Sequence, residues 1–376
     1  MSKKARIIAV YLPQFHPIPE NDKWWGKGFT EWTNVAKARP LFKGHYQPHI
    51  PADLGFYDLR LPEVREAQAE LAREAGIEGF CYWHYWFGNG KRLLERPFNE
   101  VLKSGKPDFP FCLAWANHSW SSATWTKQKA LQKDSMLLEQ LYPGKDDIIH
   151  HFNTLLPAFK DKRYICVDGK PLFGVFRPFD VPNMPIFIQI WQELARQNGI
   201  PGIHFVGMVN NCRSKNSLIP ELNNAAECYQ NVLDLGFDAV NSNGLMRANI
   251  IVDKSYIIQK AFSRFLKIKF LSKYDQDKIN KHIFVEEDRW ENVYPMLFSN
   301  MDKTPRAGKK AAIYVNSTPE VFEKLLMNAI ELIKDKEEEH RILFIRSWNE
   351  WGEGNHIEPD LKYGKGFLEA IKRCTL

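Results

Sequence analysis

The sequence predicts an α/β fold: a single (β/α)8 TIM-like barrel with long loops on its active face. Three observations predict it. Short apolar runs recur along the 376 residues, helical sequence separates them, and clusters of polar and aromatic residues close one run after another. In parallel α/β folds the functional loops lie at the carboxyl ends of strands, so this repetition is the pattern of a barrel. No internal repeat or low-complexity linker divides the chain, and 1–376 is read as one catalytic domain.

Arg6–Leu12 is the first strand, and Pro13-Gln14-Phe15-His16-Pro17 follows at once. The stretch from there to about Asp53 holds Trp24, Trp25, Glu31 and Trp32. It is too irregular for a helix and reads as a long ordered loop, which is more often functional than accidental. Leu61–Ala75 is an amphipathic helix with Pro62 in its first turn and Gly76 as its stop. Gly79–Phe87 is the second strand, Leu93–Leu102 a helix, and Phe111–Ala116 the third strand, closed by Asn117-His118-Ser119-Trp120. Helical sequence over Asp146–Phe159 precedes a fourth strand at Lys170–Phe176, and Ile186–Asn198 crosses over to a fifth at His204–Val209, which ends in Asn210-Asn211. Strands six and seven are expected at Phe237–Asn241 and Val293–Ser299, a helix at Pro319–Ile333, strand eight at Ile342–Ser347 and a closing helix at Gly366–Arg373. A lid or insertion is expected over 247–292, where Lys260, Arg264, Lys267, Lys269 and Lys273 lie among bulky apolar residues. That pattern suits a solvated lid, and a membrane- or partner-facing surface is the rival reading.

Hydrophobic residues make up 44% of the chain and charged ones 26%, a globular balance, and the net charge of +6 comes without a long basic tract. Nucleic-acid binding, which needs a concentrated basic patch, is disfavoured. The six cysteines form no CxxC pair and read as reduced buried thiols. The first residues lack the apolar core of a signal peptide, and no apolar run reaches transmembrane length. Cytoplasmic residence follows as the expectation, with contact at the inner face of the membrane.

The densest chemistry lies in Trp348-Asn349-Glu350-Trp351-Gly352-Glu353-Gly354. Two carboxylates three residues apart, among tryptophans and at the exit of a buried strand, suit glycosidic-bond chemistry: rings for sugars to stack on and acids to move protons. The bland reading is a structural turn whose acids cap a helix or meet Arg and Lys. Glu350 and Glu353 are the candidate catalytic pair. Tyr11, Glu31, Trp83, His84, Asn117, Trp120, Asn211, Asp302, Trp348, Asn349 and Trp351 are candidate substrate-binding residues. Each has a structural alternative; Glu31, for example, pairs equally well with Lys37 or Arg39, and Trp83 with the core. No metal site and no cofactor are read. His16, His84, His118 and His356 fall in loop regions but lack a spaced partner such as HExxH, and there is no GxSxG elbow.

The segments YLPQFHPIPENDKWWGKGFTEWTNV, GIEGFCYWHYWF and SWNEWGEGNHIEP resemble the WbsX family of bacterial polysaccharide-biosynthesis proteins, over about Ala5–Lys372. That family is similar to family 99 glycoside hydrolases, retaining endo-acting α-mannosidases with a (β/α)8 barrel. The resemblance implies that Glu350 acts as base on a sugar 2-hydroxyl, giving a 1,2-anhydro sugar. Glu353 would protonate the leaving oxygen and later activate the acceptor. For that, its pKa should be raised by apolar rings while Glu350 stays ionised. The hydrolase motif usually has His where Gly352 stands. The implied partners are an oligosaccharide or polysaccharide, its lipid-linked form and a nucleotide-sugar donor, although no Gly-rich phosphate loop or DxD pair is seen. Glycosyl transfer in surface-polysaccharide assembly is the leading expectation. A hydrolase and a non-catalytic glycan-binding protein are the alternatives.

Overall fold

A computed structural model describes residues 4–121, 136–209, 224–253 and 271–375. Eight strands form the barrel: β1 (Arg6–Tyr11), β2 (Gly79–Trp86), β3 (Phe111–Trp115), β4 (Lys170–Val175), β5 (His204–Val209), β6 (Ala239–Ser242), β7 (Val293–Phe298) and β8 (Ile342–Arg346). Each pairs in parallel with the next. The sheet closes where β1 meets β8, with Arg6 opposite Ile342 and Ala9 opposite Ile345. Closure leaves no free edge. The strands are buried along nearly their whole length, as expected when one face fills the barrel and the other meets helices.

Around the barrel run α1 (Pro19–Trp25), α2 (Glu31–Lys37), α3 (Pro62–Glu74), α4 (Arg96–Ser104), α5 (Lys145–Phe159), α6 (Met184–Gln197), α7 (Ala225–Leu233), α8 (Leu245–Val252), α9 (Gln276–Asn280), α10 (Thr304–Ala307), α11 (Pro319–Ile333) and α12 (Gly366–Thr375). Proline stands in the first turn of α3, α4 and α11, where its missing N–H costs nothing. The Thr318 hydroxyl accepts from Val321 N at 3.3 Å to cap α11. The loop expected to be irregular after β1 contains α1 and α2. Both are seven residues long, too short and too aromatic to show a helical period.

Within 247–292, the described residues hold the end of α8, α9 and a short strand, Ser272–Asp275, parallel to Ala312–Val315. Most of the lysine-rich part expected to form the lid lies outside the described residues. Cys81, Cys112, Cys166 and Cys374 are free thiols. Cys228, by contrast, is disulfide-bonded, so the expectation of six reduced thiols fails there. Among the described residues no helix is long and apolar enough to cross a membrane.

Candidate active site

The closing motif leaves β8 as a compact loop over the carboxyl end of the barrel. Ser347 starts it: its hydroxyl accepts from Glu350 N at 2.8 Å, and its own N–H bonds Asn355 O at 2.8 Å. Trp351–Glu353 form a single 3-10 turn. Gly354 ends it at φ +66°, where a Cβ would also lie 2.9 Å from that of Asp302. Both carboxylates of the motif therefore point from one turn.

Arg306, which the sequence reading missed, joins three acids. Its Nε bonds Glu31 Oε1, its Nη1 bonds Glu353 Oε1 and its Nη2 bonds Glu350 Oε2, each at 2.8 Å. The second oxygen of Glu353 faces Lys303 Nζ at 3.2 Å and Arg346 Nη2 at 3.6 Å. Three acids and three cations thus meet in one patch at the exits of β1, β7 and β8, the acids buried and Lys303 reaching solvent. A lone Arg on a four-residue helix carries no sequence signal for such a role.

The cations set the protonation balance. Burial pushes Glu353 up, but Lys303, Arg306 and Arg346 outweigh it and hold its pKa below the usual carboxylate range. Burial pushes Glu350 up, Glu353 and Glu31 add to this, and Arg306 and Arg346 oppose it only in part. This reverses the balance implied by the resemblance, in which Glu353 carries the raised pKa and Glu350 stays ionised. The physical reason is the cation cluster around Glu353, which no local apolar ring offsets.

Tyr85 belongs beside this patch and was also missed. Burial, with Glu350, Glu31 and Glu353 nearby, raises its pKa. Alternate residues of a strand face opposite sides, and in β2 Trp83 and Tyr85 share the side away from the helices. Trp83 is nearly buried and meets Phe176 edge-on, ring centres 5.4 Å apart. Trp120 packs edge-on against Tyr85 at 5.2 Å and approaches Trp24 at 6.0 Å. These rings form a wall over the β2 and β3 exits.

Several expected binding residues lie elsewhere. His84 faces the helices, its Nε2 2.8 Å from His151 Nε2 on α5. Tyr11 also faces them and donates to Gln68 Oε1 on α3 at 2.6 Å. Asn349 accepts from Leu12 N at 2.7 Å and donates to Leu12 O at 3.0 Å, which ties the motif to the end of β1. Trp348 is fully buried against Phe80. Trp351 Nε1 donates to Glu358 Oε2 at 2.6 Å, and Tyr57 and Gln68 donate to the same carboxyl at 2.8 and 2.6 Å. Asn117 is spent on the β3 and β4 exits, bonding Arg177 N, Arg177 O and Tyr142. Asp302 accepts from Gln47 at 2.7 Å, bonds His45 at 2.8 Å and caps α10 through Thr304 N at 2.9 Å. Its own N–H holds Glu353 O at 2.7 Å, so Asp302 positions both the Arg306 helix and the Glu353 backbone. Asn211 lies outside the described residues. The buried polar residues that the sequence assigned to substrate are thus largely the framework that aims Glu31, Glu350 and Glu353.

Comparison with known proteins agrees with this architecture. The chain is 34% identical over 375 residues to the uncharacterized protein WxcX of Xanthomonas campestris pv. campestris, strain B100. It spans about half (49%) of that relative's length. A glycoside hydrolase-like protein superposes with a TM-score of 0.59 at 15% identity, covering 99% of this chain and 94% of its own. The GH99 endo-alpha-mannosidase from Bacteroides thetaiotaomicron superposes with a TM-score of 0.54 at 13% identity, covering 98% and 95%. Both likenesses are of fold. The family model described as Glycosyltransferase WbsX matches residues 7–371, and the chain belongs to that family.

Proposed function

We propose that this chain makes or breaks α-glycosidic bonds by a retaining mechanism with Glu350 and Glu353 as the catalytic pair. Its biological reaction, in this reading, is glycosyl transfer in the assembly of a bacterial surface polysaccharide such as O-antigen or capsule. The observation that carries it is the convergence of Glu350 and Glu353, with Glu31, on one guanidinium at the carboxyl end of a barrel. Barrel enzymes work at that end. Family membership supports the carbohydrate chemistry.

In the first half-reaction Glu350 takes the proton of the sugar 2-hydroxyl as O2 closes on C1. The leaving oxygen departs with a proton from Glu353. In the second half, an acceptor hydroxyl gives its proton to Glu353 and opens the anhydro ring at C1, while O2 recovers its proton from Glu350. A sugar seated between the two acids must displace Arg306 from at least one of them. Releasing Glu353 from Arg306 takes away one of the three cations that lower its pKa and moves it towards the range a general acid needs. Arg306 kept on Glu350 favours the ionised form that a base requires.

A lipid-linked acceptor would place the reaction at the inner face of the membrane. The Cys228 disulfide opposes that placement, since such bonds are rare in reducing compartments. The rival reaction is retaining endo-hydrolysis of a mannose-like α-glycan, favoured by the barrel's likeness in fold to the endo-alpha-mannosidase. Candidate glycans with and without nucleotide-sugar donors separate the two: a lengthened glycan indicates transfer, and water at the anomeric carbon indicates hydrolysis. Glu350→Gln and Glu353→Gln should each lower turnover by roughly 10²–10⁴-fold while glycan binding survives. Unchanged turnover in both variants refutes the pair. Binding without turnover in the unaltered protein across a broad glycan panel favours a non-catalytic glycan-binding role.

A further inference from the structure

A cavity of about 290 Å³ lies beside the closing loop, walled in part by His45, Tyr46, His49, Asp302, Lys362 and Tyr363. Next to His49 stand His356 and Asp360, and the mechanism uses none of the three. All are buried, at 6%, 3% and 3% exposure. One ring nitrogen of each histidine and one carboxylate oxygen of Asp360 lie within 4.8 Å of one another. We propose that His49, His356 and Asp360 bind a divalent first-row transition ion of the zinc class, with water from the cavity completing its coordination.

The simplest alternative is a packing contact in which His356 Nε2 bonds Asp360 Oδ2 at 3.3 Å. It leaves Nδ1 of His49 buried with no hydrogen-bond partner. An orphaned ring nitrogen beside a buried carboxylate costs free energy that a plain packing role does not return. Donor atoms bound to one tetrahedral ion at about 2.0–2.2 Å lie roughly 3.3–3.5 Å apart. The His356–Asp360 pair already has that spacing, and the His49 ring needs only to swing inward. Two imidazoles and one carboxylate suit zinc, nickel or copper better than calcium or magnesium, which prefer all-oxygen sites.

The surroundings accept a cation. Asp302 and Asp360 face His49 and favour positive charge there, with Lys362 opposing them. The Lys362 ammonium lies over the rings of Tyr46 and Tyr363, at 4.7 and 4.5 Å. The cavity supplies an entry path. The ion would tie the segment before α3 to the closing loop, where the His356 ring lies flat on Trp351 at 3.6 Å, between the two candidate catalytic acids in sequence. Its role is thus to hold the loop.

The test uses the full chain with any affinity tag removed. Stripping with a chelator and adding Co2+ should give one bound ion per chain and visible d–d bands, and added Zn2+ should abolish the bands and raise Tm. His49→Gln and Asp360→Asn should weaken binding by about 100-fold or more, since loss even of an outer-shell partner costs 10–100-fold. Surface variant His282→Gln should bind as the unaltered protein does. No ion and no spectrum in the unaltered protein at tenfold excess of Co2+ overturns the proposal. So do bands that persist at full affinity in both site variants. These readouts do not depend on turnover, so they stand or fall apart from the catalytic pair.

Discussion

The Glu31 carboxylate occupies the position that a Cβ on Gly352 would need, and Glu31 Cδ and Arg306 Nε would lie only 2.7 and 2.8 Å from that carbon. The absence of a side chain at Gly352 thus makes room for an acid and a guanidinium from distant segments. Gly352→Ala should therefore destabilise the fold by about 1–3 kcal/mol, the range for overpacking a filled site. It should also lower turnover by disturbing Arg306. A denaturation midpoint equal to that of the unaltered protein would show that Glu31 moves aside without cost.

Arg306→Ala leaves three buried acids without their shared partner. Breaking one side of a buried ion pair costs about 3–5 kcal/mol, and this variant should fall in that range at pH 8. With the cation gone, burial and mutual repulsion raise the carboxylate pKa values in the folded state. The folded variant then binds more protons than the unfolded chain, so its stability should rise as pH drops from 8 to 5. Denaturant titrations at three pH values check this, and a flat profile would contradict it.

Glu358 is predicted to give the unaltered protein a stability that declines around neutrality. Burial raises its pKa to about 7, against the lowering effect of hydrogen bonds from Trp351, Gln68 and Tyr57. A carboxyl raised in the folded state is at its most favourable below the unfolded value near 4.3, and that advantage is lost as pH climbs through 7. Glu358→Gln should remove this slope. It should also cost about 1–3 kcal/mol, because its amide N–H2 meets groups that are already donors.

His84 and His151 should make the protein acid-sensitive without touching catalysis. Burial holds both well below the ordinary histidine pKa. They stay neutral when folded but gain protons when unfolded, so stability should fall as pH drops below the unfolded value near 6.5. Replacing both with Phe should flatten that limb while leaving kcat unchanged. A large loss of kcat in a folded variant would return His84 to the active site.

The barrel was legible because each strand is a short apolar run ended by a polar-aromatic cluster; all eight expected strands stand within two residues of the observed ones. Glu31, Glu350 and Glu353 were legible as acids set among rings. What a linear pattern cannot carry is direction and partnership. Tyr11 and His84 sit at strand exits yet point to the helices, because the side on which alternation starts is fixed by barrel packing. Asn349 looks like a hydroxyl-binding group until Leu12, 337 positions away, is seen to use both ends of its amide. Arg306 and Asp360 gain meaning only from residues folded against them.

The same bond between Asn349 and Leu12, with Trp348 N held by Val10 O at 2.8 Å, has a consequence for timing. β1 leaves the ribosome well before β8, and waits for that partner, which follows more than three hundred positions later. Until then the Glu31 segment is in place while Arg306, Glu350 and Glu353 are still unmade or unanchored. Closing a loop of that length is entropically late in folding. A partly synthesised chain, or one clipped before β8, would carry Trp24, Trp83 and Trp120 but no assembled acid cluster, so any activity should switch on as a single event when β8 docks.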